Sequence, residues 1–248
     1  MALRSFNTAL ALAAAITVVA TVTVMAPAAW VGDWLEANGR LRLVDARGSV
    51  WSGSAMLGVS DGRQIMLVPG RVSWNVGLAT LLSGSVTADV SHPALAAPLA
   101  ASFSSKSIAV KGGQAELPAA TLFVVGAPFN TVRPGGTLAL RWSDIEIKQG
   151  RLAGSLDIDW RDAQSALSPV VPLGSYHLRI AGTGDTARIE LDTLDGPLRL
   201  EGKGTLRGWR VSFRGLASAE PDMRSALDGL IGVLGQRSGH NVLLALET

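Results

Sequence analysis

The sequence predicts a mainly β protein: a single N-terminal transmembrane helix, then an antiparallel β domain with one short C-terminal helix. The β domain is expected to be a sandwich or a curled trough, made of one β unit or of two related ones. Three observations carry this. Residues 5–32 hold no charged side chain, the segment from about 150 to 215 alternates apolar and polar residues strand after strand, and one stretch near the C-terminus has helical spacing. The 248 residues are 48% hydrophobic and 17% charged, with 28 Gly, 11 Pro and no Cys, which excludes a disordered, collagenous or disulfide-stapled chain. A net charge of +2 gives no electrostatic footprint for nucleic acid, so none is expected as a partner.

As one helix, residues 5–32 would reach about 42 Å, enough to cross the hydrocarbon core with some tilt. Ala26-Pro27-Ala28 offers the small-x-small pattern of a signal-peptidase site, but the run is longer than the roughly 7–15 residues of a signal-peptide core, which favours retention. Trp30 and Trp34 lie four apart where the run ends, so on a continuing helix both rings share one face at interfacial depth. Arg4 precedes the run, whereas Asp33 and Glu36 come before any basic residue on its far side. The expected topology is therefore a single-pass protein with a cytoplasmic tail at 1–7, an anchor in the bilayer at 8–30 and an exported β domain at 39–248. The absence of Cys is compatible with an oxidising compartment.

The first strands are weakly polar on their outer side. Trp51, Ala55, Leu57 and Val59 alternate, as do Val72, Trp74 and Val76, then Val86, Ala88 and Val90. Gly135-Gly136 opens a strand with Leu138, Leu140 and Trp142, whose parity slips to Ile145 and Ile147 across Ser143-Asp144, as a bulge or turn requires. Five half-buried strands follow. Leu152, Leu156, Ile158 and Trp160 oppose Asp157, Asp159 and Arg161, and Tyr176, Leu178 and Ile180 oppose Ser175, His177 and Arg179. The next three carry Ala187, Ile189 and Leu191, then Leu198 and Leu200, then Trp209, Val211 and Phe213, each alternating with charged or polar neighbours. Gly182-Thr-Gly184-Asp185, Asp195-Gly196 and Arg207-Gly208 read as the tight turns of an antiparallel meander with one polar face. A loose repeat links Pro69-Gly70, Trp74 and Gly84 to Pro134-Gly135, Trp142 and Gly150.

The helix is read at 221–235. Pro221 suits the first helical position and Asp222 the positive end of the dipole, while Met223, Leu227, Leu230, Ile231 and Leu234 fall at helical spacing before Gly235. Gly229 and Gly232 weaken it in isolation, so it must dock to be stable. One short helix cannot cover the apolar faces of about ten strands, so the sheet must pack on another, close on itself or curl.

No residue constellation reaches the geometry of a catalytic, cofactor or metal site, and none of the three is expected. Gly58-Val-Ser60-Asp-Gly62 fits the form of a nucleophile elbow, but that device needs a following helix and Arg63-Gln-Ile65-Met-Leu67 reads as a strand; a hairpin turn is expected. Gly202-Lys203-Gly204-Thr205 is similar to a phosphate-binding loop but lacks its residue order, and is expected to be a β-turn. His92, His177 and His240 are far apart and form no ligand pair. Asp157 and Asp159 share a strand face like a paired carboxylate, and are expected on a solvated surface because the other parity is apolar. Arg199, Arg207, Arg210 and Arg214 read as sheet-surface charges suited to acidic partner surfaces. Of the seven Trp, 30 and 34 are expected at the interface and 51, 74, 142, 160 and 209 inward.

An ordered set of phrases follows the anchor: Gly48-Ser-Val-Trp51-Ser-Gly53-Ser-Ala55, Pro69-Gly70-Arg-Val-Ser-Trp74, Gly135-Gly136-Thr-Leu138, Leu167-Ser-Pro169-Val-Val-Pro172-Leu-Gly174-Ser-Tyr176, Thr193-Leu-Asp195-Gly196-Pro-Leu198 and Phe213-Arg-Gly215-Leu-Ala217. Together they resemble the type II secretion system protein N family (general secretion pathway protein N), from the anchor to about residue 235. The resemblance implies a non-enzymatic inner-membrane accessory, facing the periplasm, of the machine that exports folded proteins. It implies as partners the inner-membrane platform proteins and the secretin, and no catalytic or cofactor residues. The alternative reading comes from shape. A curled sheet with an apolar inner face also resembles AsmA-type and lipopolysaccharide-transport modules, whose β troughs carry acyl chains.

Overall fold

Strand-forming alternation dominates the chain, and antiparallel pairing dominates the structure. The computed structural model describes residues 26–38, 41–60, 65–77, 84–125, 129–208, 210–238 and 241–247. The chain divides into two compact units, Met1–Ala79 and Thr80–Thr248.

In the first unit, helix α1 (Ala29–Asn38) packs on β1 (Leu41–Gly48), which pairs with β2 (Ser52–Ser60), which pairs with β3 (Ile65–Gly77). Sequence periodicity singled out no separate helix here. Pro27 bridges Ser49 just before it, so the described helix starts at Ala29 and does not run back through residues 26–28 as a continuing anchor helix would, and Gly32 lets it approach Leu43 closely. The expected anchor at 8–30 lies outside the described residues except at its end. There Ala26 and Ala28 are buried, Trp30 is 52% exposed, and no described helix is long and apolar enough to cross a membrane. Asp45 takes a left-handed backbone (φ 52°) at a bulge in β1, held by Arg71, which reaches its carboxylate (2.9 Å) and its carbonyl oxygen (2.6 Å). Hydrogen bonds from Arg47 and Arg71 keep the Asp45 carboxyl below its ordinary range.

The second unit contains a nine-stranded antiparallel sheet in the order β16-β17-β15-β14-β13-β12-β11-β8-β7. Its members are β7 (Gly113–Pro118), β8 (Pro134–Trp142), β11 (Ser155–Ser165), β12 (Gly174–Gly182), β13 (Ala187–Asp195), β14 (Leu198–Arg207), β15 (Arg210–Ala219), β16 (Gln236–Ser238) and β17 (Asn241–Glu247). The run β11 to β15 is the expected meander, with Gly184, Gly196 and Gly208 at positive φ in its turns. Gly202-Lys203-Gly204-Thr205 is a correction: it lies inside β14, not in a turn, because the ring of Phe213 on β15 occupies the space above both glycines. The expected inward position of Trp209 and the histidine at 240 fall outside the described residues.

A second set of strands in this unit runs β4 (Ser85–Ser91), β5 (Leu99–Ser104), β6 (Ser107–Val110), β9 (Ile145–Lys148) and β10 (Arg151–Ala153). Three strands belong to both sheets. β6 runs into β7 through Lys111-Gly112, β8 into β9 through Ser143-Asp144, and β10 into β11 through Gly154. The parity slip read at Ser143-Asp144 is therefore a corner where the sheet bends. Gly154 (φ 106°) carries the third strand through it, and a Cβ there would lie 2.5 Å from the Asp144 carbonyl oxygen. Asp144 ties the other two strands: its carboxylate accepts from Lys111 Nζ at 2.9 Å and from the Gly112 N–H at 2.7 Å. Trp142 donates its indole N–H to the Lys111 carbonyl at 2.9 Å and covers Gly113.

The core gathers at the end of the nine-stranded sheet away from this corner. Helix α3 (Arg224–Leu234), entered through a 3-10 turn at Pro221–Met223, buries Leu227, Leu230 and Ile231 against Tyr176, Leu198, Ala217 and Val242. A 3-10 segment (Ala119–Val125) and a short helix α2 (Phe129–Val132) close the same end, with Val132 in that core. Neither has the apolar periodicity of a helix, so pattern alone does not reveal them.

Replacing Gly154 by Ala should cost about 1–3 kcal/mol in denaturant unfolding, since only glycine holds that backbone without strain. A second expectation concerns pH. The hydrogen bond from Lys111, then that from Gly112, lowers the Asp144 pKa, and Asp144 raises that of Lys111. The lowered carboxyl stabilises fully above its unfolded value of about 3.9 and loses this as pH falls through its folded value. The raised ammonium stabilises fully below about 10.4 and loses this only as pH rises further. The stability difference between the native chain and Asp144→Asn should therefore stay constant from about pH 5 to 9 and shrink below about pH 4.

Candidate interaction surface

Alternation in β8 and β11 to β15 sends their charged residues to one face. Register then lines them up across strands. Arg141, Asp157, Arg179, Glu190, Lys203 and Arg214 stand directly opposite one another in succession on β8, β11, β12, β13, β14 and β15. The signs alternate until Lys203 meets Arg214. Opposite charges in such positions stabilise a sheet by about 0.2–1 kcal/mol per pair, less where water screens them.

Asp157, Asp159 and His177 meet on this face, the first two as expected from their parity. Asp159 is the most enclosed, with its side chain 13% exposed; it accepts from Arg141 at 2.9 Å and bonds the His177 ring at Nδ1 over 2.7 Å. The other ring nitrogen of His177 lies 3.5 Å from Asp157, which also faces Arg179 at 3.7 Å. A general base needs one ring nitrogen on a carboxylate and the other on a nucleophile. Here carboxylates stand at both, so the arrangement holds three strands together and leaves no nitrogen facing a substrate. Sequence parity put these groups on one face but could not pair them, because pairing depends on register.

The other sequence candidates are dispersed. Ser60 closes β2 and faces Ile65 of β3, a strand-to-strand connection without the helix a nucleophile elbow needs; residues 61–64 lie outside the described set. His92 accepts the Ala94 N–H at Nδ1 (3.1 Å), and its Nε2 is buried without a hydrogen-bond partner among the described residues. No group of three His, Asp or Glu among the described residues could hold a metal ion. Trp74, Trp142 and Trp160 are half-buried, each indole donating to a backbone carbonyl. Trp51 is half-buried just before β2.

Toward the Gly208 turn the face becomes basic. Arg188, Lys203, Arg207, Arg210 and Arg214 share that half of β13 to β15, with Glu190 as the acidic residue these strands place among them. Arg207 and Arg210 stand opposite each other beside the turn, so like charges meet at the tip. Arg199, at the other end of β14, is paired with Glu220 at 2.9 Å. A charged, strand-built face without a nucleophile or ligand cluster suits docking to another protein. Residues 39–243 match the family described as type II secretion system (T2SS), protein N. The chain belongs to that family. The match confirms the family that the Gly-turn-strand phrases resemble; it spans both compact units, begins after the expected anchor and runs past residue 235, where the resemblance ended. Membership of that family ties the chain to type II secretion; the family is that of an accessory component of the machinery and is not a known enzyme family. No curated protein and no solved structure matches the chain.

Within this charged face, Asp159→Ala should destabilise by about 1 kcal/mol, because it removes the carboxylate that Arg141 and His177 share. Asp157→Ala should cost under about 0.5 kcal/mol, its contacts being longer. A double-mutant cycle with His177→Ala and Asp159→Ala should return a coupling of at least about 0.5 kcal/mol.

Proposed function

We propose that this protein is a non-enzymatic accessory of the type II secretion machine, held in the inner membrane by residues 8–30 with 1–7 cytoplasmic and 39–248 in the periplasm. Its role is to bind and position other components. The observation that carries this reading is the family match over 39–243 together with a long charged β face that offers no reacting group. Retention of the N-terminal segment is supported by the length of the uncharged run at 5–32, which exceeds the roughly 7–15 residues of a signal-peptide core. At its far end the chain leaves the bilayer and joins the β unit, Ala28 donating to the Gly48 carbonyl at 3.1 Å and Val50 to Ala26 at 2.8 Å.

The partners are other secretion components, the inner-membrane platform proteins and the secretin. The basic end around Arg207 and Arg210 suits an acidic surface on one of them, since clustered charge steers association and selects partners.

A reporter active only in the periplasm, fused after Thr248, should be active, and N-terminal sequencing should find no cleavage after Ala28. Deleting the gene should leave type II substrates in the periplasm. Ser60→Ala, His177→Ala and Asp157→Ala proteins should each restore export, whereas a folded Arg207→Glu, Arg210→Glu protein should not. Normal export in the deletion strain would end the secretion reading; rescue by the charge-reversed protein would remove the basic end from it.

A further inference from the structure

A sheet edge is a row of unpaired backbone groups, and an edge left open is available to another strand. In the second unit two edges are covered by the chain itself. Along β7 the Ala96 N–H donates to the Gln114 carbonyl at 3.1 Å and the Glu116 N–H to the Ala94 carbonyl at 2.8 Å. Beside β10, Leu152 and Gly184 exchange both backbone bonds, at 2.7 and 3.2 Å. The third edge is β17. There β16 pairs with Asn241, Val242 and Leu243 only, while β17 continues beside β15 to Glu247.

Register shows which groups stand open. Opposite residues of an antiparallel pair alternate between those that bond to each other and those that bond outward. Arg207 and Arg210 close one two-residue turn, and Ser238 and Asn241 another, so both pairs bond to each other. Counting in twos from Arg210 leaves Phe213, Gly215 and Ala217 to bond with their partners on β17, which are Leu246, Leu244 and Val242. Counting in twos from Asn241 turns Leu243 toward β16, and the Leu243 carbonyl oxygen does lie against Gly235, the residue before that strand. The two counts agree. The N–H and C=O groups of Ala245 and Glu247 therefore point away from β15, where no described strand pairs with them.

Two open residues beside an occupied stretch define the occupant. A long strand from another protein, running past Leu244, would meet Gln236, which already pairs with Leu243, so only a short segment fits. A second copy brings a segment of the same length with the same open groups. With a twofold axis at Leu246, the two β17 strands run antiparallel and Ala245 of each copy stands opposite Glu247 of the other. Each such pair exchanges two backbone hydrogen bonds, so every open group is used. An axis at Ala245 would instead bring Glu247 of the copy opposite Leu243, onto Gln236. Both faces then match. On the inner parity the Phe213–Leu246 row continues into Leu246 and Phe213 of the copy, while on the outer parity Glu247 of the copy enters the row of Lys203, Arg214 and Ala245, where like charges meet. We propose that two copies of this chain pair edge to edge through β17, an isologous contact that joins their nine-stranded sheets into one. The inference rests on this edge and not on the secretion reading.

The chain has no Cys, so single cysteines report the contact. The test uses the full-length chain purified in detergent and treated with a mild oxidant. In the proposed pairing Leu246 faces its own counterpart in a non-hydrogen-bonded pair, with Cα atoms about 4.5 Å apart and inside disulfide range, whereas Leu244 lies about 14 Å from its counterpart. Leu246→Cys should therefore give a disulfide-linked dimer at least about tenfold faster than Leu244→Cys. Ala245→Pro deletes an outward N–H without touching the β15 ladder, and added to Leu246→Cys it should slow linking at least about tenfold; should it fail to fold, Glu247→Pro deletes the other outward N–H. By light scattering the native chain should be a dimer and the folded proline variant a monomer. A monomeric native chain, or no linked dimer from a folded Leu246→Cys chain, would overturn the proposal. Equal linking by the two cysteines would mean chance collision and overturn the pairing, and linking that persists in a folded proline variant would overturn the edge. Capture of Leu246→Cys in whole cells by a different protein, in place of its own copy, would assign the edge to that protein and end the proposal.

Discussion

The corner at Lys111-Gly112, Ser143-Asp144 and Gly154 is the constraint on which the rest of the second unit depends. Three neighbouring strands change sheet there, and they meet the bend in two ways. Between Val110 and Gly113 and between Trp142 and Ile145 extra residues absorb it, so that inward side chains stay inward on both sides. Between Leu152 and Leu156 nothing is added, and the turn rests on the positive φ of Gly154. Ser143 and Ser155 lock the last two strands reciprocally: the Ser143 N–H donates to the Ser155 carbonyl at 3.0 Å, and the Ser155 N–H to the Ser143 hydroxyl at 2.9 Å. Without the bend the apolar inner face would be a flat, two-sided surface, and neither α3 nor the short segments beside it could shelter any large share of it.

A second device recurs wherever the inner face would otherwise be thin. Trp74 lies over Gly53, Trp142 over Gly113, and Phe213 over Gly202 and Gly204. In each case an aromatic ring from the neighbouring strand fills the volume a side chain would have taken, which offsets the packing that glycine forfeits. The two tryptophans are those of the loose repeat, and both indoles donate to backbone carbonyls at a strand end, Trp74 to Val50 at 3.0 Å and Trp142 to Lys111 at 2.9 Å. The repeated phrase thus has a repeated physical role, one in each compact unit.

Alternation was readable because one face of the meander is charged and the other is not; period two then identifies strand and face together. The helix over Arg224–Leu234 was readable for the same reason at period 3.6. Three kinds of feature escaped. Mid-strand glycines look like turns when the ring that covers them sits nine or more residues away, as Phe213 does from Gly204. Helical turns such as Ala119–Val125 follow from where the chain must cross the end of a sheet, not from their own pattern. Partnership on the surface depends on register: residues 157, 159 and 177 could be assigned a face, while the contact of His177 with both carboxylates required knowing that Asp159 stands opposite it.

The same period that made the strands legible separates two chemistries by the thickness of one sheet. In β14, Leu200, Gly202 and Gly204 face inward and Glu201, Lys203 and Thr205 outward. A substitution on the outer parity changes charge at the outer face without touching the apolar interior, and one on the inner parity does the reverse. Sequence motifs record single-atom chemistry well and distributed surfaces poorly. That is why an ordered set of turn phrases points to the family where no single residue does: the phrases preserve the bends and registers from which both faces are built.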